Sequence, residues 1–413
     1  MKRNKEVFLI GIGMGEESYL TPYASQKMVQ ADIMIGAKRM LECCKSYQGT
    51  QFTSYKPKEM REFLTQTADW QCCAILLSGD SGFFSGARGI LQEFADTSYE
   101  IECIPGISSI SYLSAKLGMN WEDMYIASVH GKWENLVGRI AGNKKTFALL
   151  SGKSQLCELC DKLQYYGLNE VKLSVGENLS YGMGQASMGK AERIIQGSPA
   201  EIAQNQWDNL ICMVAENENA QKISGEICDE EFIRGKVPMT KSEVRTISIA
   251  KLKLQETSVV YDIGAGTGSV SIEIAVKHPG VKVYAIEKNS HAVSLIEKNK
   301  QKFCADNVEV IQGEALEVLE CKKLEMPTHI FVGGSGGNFQ EILHLILQKN
   351  PKVRIVANAV SLNSIAEIYQ AVEVQGLTTE VVSINVSKSK KMGGYHMMLA
   401  NNPVYIFTIE ADR

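Results

Sequence analysis

The sequence predicts an α/β fold in two consecutive parts, and three observations carry that prediction. Short apolar runs of strand length alternate with helical periodicity along the chain. A glycine-rich turn closes the first such run of each half, at 11–15 and at 264–268. A polar stretch over 216–226 separates the two patterns. Alternation of this kind builds sheets covered by helices. A length of 413 residues exceeds one ordinary hydrophobic core, so more than one domain is expected.

In order along the first half, the short apolar run 7–12 reads as a buried strand, followed by helical periodicity over 23–29. Further strands are expected at 32–35, 73–78 and 100–104, with a helix at 87–94. Pro105-Gly106 breaks the chain before a helix that runs to about Leu117. Strands recur at 146–150, 171–175 and 210–214. Beyond the polar stretch the pattern restarts with a helix at 241–252 and a strand at 258–263 that ends in the glycine turn. Strands follow at 282–286, 308–311, 329–332 and 354–358, and 380–386 with 395–409 reads as an antiparallel pair at the sheet edge. The expected domains are 1–222, with lobes at about 1–112 and 113–222, and 235–413, joined by a linker over 223–234.

Composition narrows the function. An apolar share of 45% with 22% charge is that of an ordinary globular protein. A net charge of −4 without a long Lys/Arg run argues against nucleic acid as partner. Eleven cysteines, an odd total with the adjacent pairs Cys43-Cys44 and Cys72-Cys73, read as reduced, mostly buried thiols of a cytoplasmic protein. Cys157 and Cys160 form one C-x-x-C in a helix-like run, with no second pair or histidine partner, so no zinc site and no other metal site is expected. The apolar run after the basic N-terminus is too short and glycine-broken for a signal peptide, and none approaches the length of a membrane span.

The strongest local signal lies in the second half. A strand ends at Ile263, and Gly264-Ala265-Gly266-Thr267-Gly268 turns the chain into a helix, the absent side chains admitting a ligand to the backbone. Nicotinamide enzymes use a similar device, but here the spacing is Gly-x-Gly-x-Gly and Asp262 precedes it. Such an acid can hold the amino group of S-adenosylmethionine (SAM), directly or through water. Glu287 ends the next strand about 20 residues on, where a carboxylate accepts ribose hydroxyls. A solvated strand-end acid and a merely tight turn are the plainer alternatives.

The string Pro-Met-Thr-Lys-x-Glu-Val-Arg at 238–245 is more discriminating than the turn. With 312–315, the run Phe-Val-Gly-Gly-Ser-Gly-Gly at 331–337 and Val-Ala-Asn-Ala at 356–359, it resembles the CbiT family of precorrin C-15 methyltransferases that also decarboxylate. The resemblance covers 235 to about 410 and implies a Rossmann-like, class I SAM methyltransferase fold. It implies SAM contacts from Thr240, Gly264–Gly268, Glu287 and Ala315. Ser335 and Gly336 then lie where a flat substrate approaches the methyl group, unless the loop is a turn that simply needs small residues. Lys241, Arg245 and the hairpin residues Lys390, Lys391 and His396 are candidate donors to substrate carboxylates, the hairpin being otherwise an ordinary solvated turn.

In the first half, Gly11-Ile-Gly-Met-Gly15 alone is a weak signal. Together with Leu-Ser-Gly-Asp-Ser-Gly-Phe-Phe at 77–84, Ile-Pro-Gly-Ile-Ser-Ser at 104–109 and Ser-Val-His-Gly-Lys at 128–132, it resembles the tetrapyrrole methylase fold (class III SAM), specifically the CbiE family that methylates C-5. Glu177-Asn-Leu-Ser-Tyr181 and 211–217 extend the match. The resemblance implies two lobes clasping SAM, with cofactor contacts at Gly79, Asp80, Ser81, Gly82, Ser108 and Ser109. Gly11, Gly13 and Gly15 would line the tetrapyrrole trough. His130 is either a substrate or proton-transfer group or a buried, hydrogen-bonded loop histidine. Ser81, Gly82 and Gln185 depart from the family's usual residues.

The combined expectation is a bifunctional SAM-dependent methyltransferase acting on a precorrin in cobalamin synthesis. It would be a homo-oligomer with a small-molecule tetrapyrrole substrate, and without nucleic acid or membrane. Competing expectations are methylation of RNA or another metabolite, a nicotinamide-dependent dehydrogenase, and a tetrapyrrole-binding carrier.

Overall fold

A computed structural model describes residues 4–42, 44, 47–129, 133–181, 191–321 and 323–410. The chain divides into two compact units. One comprises 1–132, 145–161 and 169–217, and the other 133–144, 162–168 and 218–413.

The first unit holds two sheets. Strands β1 (Glu6–Gly11), β2 (Ile33–Gly36), β3 (Thr50–Thr53), β4 (Cys72–Leu77) and β5 (Glu100–Ile104) form a parallel sheet in the order β3-β2-β4-β1-β5. Val7 and Leu9 face one apolar cluster and Phe8 and Ile10 another, so both faces of β1 are covered. A strand buried on both sides reads as a continuous apolar run, which is why 7–12 was legible. β3, with mostly exposed residues at the sheet edge, carries no such run.

The second sheet comprises β6 (Tyr125–Ser128), β7 (Lys145–Leu150), β8 (Lys172–Glu177), β9 (Arg193–Gly197) and β10 (Ile211–Glu216), ordered β6-β7-β10-β8-β9. Only β6 pairs in parallel, with β7; the remaining pairings are antiparallel.

The second unit is built on a seven-stranded sheet. Its strands are β11 (Val259–Ile263), β12 (Lys282–Glu287), β13 (Val308–Gln312), β14 (His329–Val332), β15 (Arg354–Ala359) and β16 (Thr378–Ile384), with β19 (Val404–Glu410). The order is β13-β12-β11-β14-β15-β19-β16, and β19 runs antiparallel to both neighbours. Between β16 and β19 a separate hairpin, β17 (Ser387–Met392) with β18 (Tyr395–Ala400), stands exposed along its whole length. The single strand expected over 395–409 is therefore two strands in different sheets, and 401–403 separates them. The five parallel strands reverse their order between β11 and β14, where open α/β sheets bind ligands at the carboxyl ends.

Candidate active sites

The second unit carries a cavity of about 700 Å³ at that crevice. Its walls come from the carboxyl ends of β11 to β15 and from residues 237–241 ahead of the helix Ser242–Leu252. Gly264 and Gly266 both line it, with φ of 71° and 59°, in the left-handed region that only glycine enters freely. A side chain at Gly264 would also meet the Gly334 carbonyl at 2.5 Å. The sharp turn lets one Glu287 oxygen accept the Gly266 amide at 2.8 Å, while the other accepts the Asn289 amide at 2.9 Å. The carboxylate thus sits on the cavity wall, held by backbone and able to take further donors.

Thr240, Ala265, Ala315, Ser335 and Gly336 share this cavity, so the structure brings most of the residues read from the sequence together. Thr267 and Gly268 do not line it; both are buried behind the turn. Asp262 is likewise absent from the wall. It is fully buried, its Oδ2 accepts the Ser271 amide at 3.1 Å and the Ser271 hydroxyl, and it fastens the turn to the following helix. Burial pushes its carboxyl up to about 7.

Arg245 is buried and absent from the cavity wall. Its side chain has no exposed surface and is taken by Glu273 (2.5 Å), Asp229 (3.2 Å), and the carbonyls of Thr240 and Ile227. It fixes the segment that carries Thr240, because a buried guanidinium must spend its donors on fixed partners. Lys241 does line the cavity and lies 3.8 Å from Asp229. Lys390, Lys391 and His396 stand on the exposed hairpin and are absent from the cavity wall, which correct placement by spacing could not foresee. On the same hairpin, Lys388 is paired with Glu243 at 2.7 Å. The sequence reading missed Lys288 and Glu314, paired at 3.2 Å on the wall, and Asn358 at the end of β15.

In the first unit three backbone turns meet at the ends of β1, β4 and β5. Gly13 and Gly79 exchange amide–carbonyl hydrogen bonds of 3.0 and 2.6 Å. A side chain at Gly11 would lie 2.8 Å from both the Gly106 amide and the Gly79 carbonyl. Asp80 locks the knot, its Oδ1 accepting the Gly82 amide (2.8 Å) and its Oδ2 the Gly106 amide (3.0 Å). Ser108 caps the helix Ser109–Leu117 by accepting the Ser111 amide.

Beside the knot lies a cavity of about 310 Å³. Gly79 and Ser109 line it; Gly11, Gly13, Gly15, Asp80, Ser81, Gly82 and Ser108 are not on its wall. Phe84 and Asn178 on its wall hold positive φ of 46° and 47°, and such strain gathers at functional sites. Arg39 was missed by the sequence reading. It lines this cavity and donates to Ser78 Oγ at 3.0 Å and Tyr181 Oη at 3.2 Å. Tyr181 and Asn178 belong to a string singled out above, whereas nothing local marks Arg39. His130 and Gln185 lie outside the described residues.

Each unit thus frames a cavity with bare turns at strand ends. A family profile described as tetrapyrrole (corrin/porphyrin) methylases matches residues 6–194, and one described as precorrin methyltransferase domain matches 231–411. Each half of the chain thus matches a profile of tetrapyrrole-directed methyltransferases. The chain is 40% identical over 188 residues to a probable cobalt-precorrin-6B C(15)-methyltransferase (decarboxylating) of Pyrobaculum calidifontis, spanning 45% of this chain and 95% of that protein. It is 33% identical over 187 residues to the cobalt-precorrin-6B C(15)-methyltransferase (decarboxylating) of Salmonella typhi, with 45% and 95% covered. The chain belongs to the precorrin methyltransferase family. A solved precorrin-6y C5,15-methyltransferase from Geobacter metallireducens is 38% identical, covering 47% of this chain and 100% of that one, with a TM-score of 0.44.

Proposed function

We propose that the chain is a bifunctional, SAM-dependent enzyme of cobalamin synthesis acting on precorrin-6B or its cobalt form. The unit of 1–222 methylates C-5. The unit of 235–413, joined to it by 223–234, methylates C-15 and decarboxylates the C-12 acetate. The observation that carries this reading is the pair of separate cavities, each framed by glycine turns at strand ends. The backbone at Gly264 and Gly266 leaves a cradle that a Cβ would fill, and the Glu287 carboxylate beside it suits a ribose diol. Those residues, with Thr240 and Ala315, would hold SAM, which supplies an activated methyl on sulfur.

A meso carbon of a reduced tetrapyrrole is enamine-like and nucleophilic without a strong base. The chain's own work is alignment of the carbon with the methyl, and exclusion of water, in a cavity whose floor is backbone. Gly333–Gly336 keeps the wall low beside the turn, so a flat ring can come close. In the first unit Gly79 and Ser109 would receive the cofactor, and Arg39 offers a cation to an acid side arm of the substrate.

Mass spectrometry of the product from precorrin-6B, with and without cobalt, tests the proposal. Two added methyls and one lost carbon dioxide are expected. Gly266→Arg should end C-15 methylation and leave C-5 methylation measurable; loss of both would refute separate sites.

A further inference from the structure

The second cavity is asymmetric in charge. Glu287 at the end of β12 marks one side, and the strand order then runs β11, β14, β15. At roughly 4.8 Å per strand, the end of β15 lies about 14 Å away, across the cavity. Among the described residues, the charged groups on the wall are Lys241, Glu287, Lys288 and Glu314, and none belongs to β14 or β15. Asn358 and Val360 at the end of β15 are neutral wall residues, with Lys241 at the N-terminus of the helix whose Ser248 meets Asn358.

Asn358 is half-buried there, and Ser248 is its hydrogen-bond partner among the described residues. The Ser248 hydroxyl has one proton and lies 2.8 Å from the Val244 carbonyl, as helix serines often do. Donating there, it accepts from Asn358 Nδ2 at 3.0 Å. The same Ser248 oxygen lies 3.1 Å from Asn358 Oδ1, and Nδ2 keeps a second proton for a ligand.

We propose that Asn358 receives the acetate carboxylate that this site removes, with Ser248 as its positioning residue; the inference rests on the decarboxylating reading above. In that step the bond between the carboxyl carbon and its methylene breaks. The electron pair flows into the protonated macrocycle and comes to rest on the methylene carbon, which takes up a proton to become a methyl group as carbon dioxide leaves. Negative charge departs from the carboxylate as the bond breaks. A guanidinium or ammonium partner would stabilise the ground state and lose its hold in the transition state. A neutral amide orients the group without that penalty, which suits Asn358 to the chemistry.

The test is carbon dioxide release in single turnover by the full chain, with SAM affinity measured alongside as a check on folding and on the cofactor side. Asn358→Ala should slow release about tenfold or more, with SAM affinity unchanged, and Ser248→Ala should slow it less. Asn358→Asp sets one carboxylate against another, so at about pH 8 it should fall well below the alanine variant. It should recover toward that level near about pH 5, as the new acid begins to protonate. Release by Asn358→Ala at the wild-type rate overturns the inference, as does an aspartate variant that matches alanine at every pH. A SAM affinity that falls in step with release also overturns it, by moving Asn358 to the cofactor. Wild-type protein that methylates without losing carbon dioxide sinks the parent reading instead.

Discussion

Two buried charged residues behave differently at the site of the second unit. Arg245 is compensated on every side by Asp229, Glu273 and two carbonyls. Removing one member of such a cluster leaves the others buried and unpaired, so Arg245→Met should cost about 3–5 kcal/mol of stability. Chemical denaturation of the variant measures this, and unchanged stability would mean that the cluster relaxes into water. Asp262 is undercompensated: Ser271 serves one of its oxygens, and the other has no partner among the described residues. Its folded-state carboxyl is raised to about 7 from 3.8. The protonated form is therefore favoured by folding, and the associated stability is full below about 4 and lost as pH rises through about 7. Asp262→Asn keeps the shape without the titration. Its melting temperature relative to wild type should climb across that window, and a pH-independent difference would contradict the assignment.

At the scale of elements, the two glycine assemblies solve the same problem in different ways. In the second unit a left-handed turn after β11 brings backbone against the β14 loop, and Gly264 lies where a Cβ would strike the Gly334 carbonyl at 2.5 Å. In the first unit three turns interlock through Gly11, Gly79 and Gly106. Neither neighbour can yield, because both are backbone. Gly264→Ala should thus abolish SAM binding to the second unit, and Gly11→Ala should destabilise the first by about 1–3 kcal/mol through overpacking. Calorimetry and thermal melts of each variant report the two effects. A Gly264→Ala protein with full affinity would show that the turn is a structural device only. Most strands around these turns were legible as apolar runs because they are central. The edge strand β3 was not, and the hairpin turn was legible while the break between β18 and β19 was not, because exposed strands are shaped by pairing and not by burial.

For the molecule as a whole, each unit has its own cavity, and ligand binding stabilises only the unit that holds it. Titration with SAM should show one equivalent per unit, and Gly266→Arg should remove the equivalent belonging to the second. A single equivalent in the wild-type chain would leave one cavity without a cofactor. The grouping of residues 133–144 and 162–168 with 218–413 is a feature of this scale. Asn135 Nδ2 donates to Asn307 Oδ1 at 2.9 Å, and the Asn307 amide in turn serves the Ala275 and Val281 carbonyls. No local pattern around 135 announces a partner so far along the chain.

Sequence alone determined the α/β class, most of the central strands and the glycine turns, because buried strands must be apolar and a left-handed turn must be glycine. It also marked Glu287, Thr240 and Gly79 through strings whose spacing is local. Tertiary structure decided which polar side chains are free to meet a ligand. Arg245 and Asp262 sit within motifs yet turn into the core, while Arg39 reaches a cavity wall from a segment that looks ordinary, and the role of Asn358, inside a quoted string, shows only in the packing. Whether a charge faces a ligand or a buried partner depends on packing between residues distant in the chain, and one-dimensional periodicity holds no information about that.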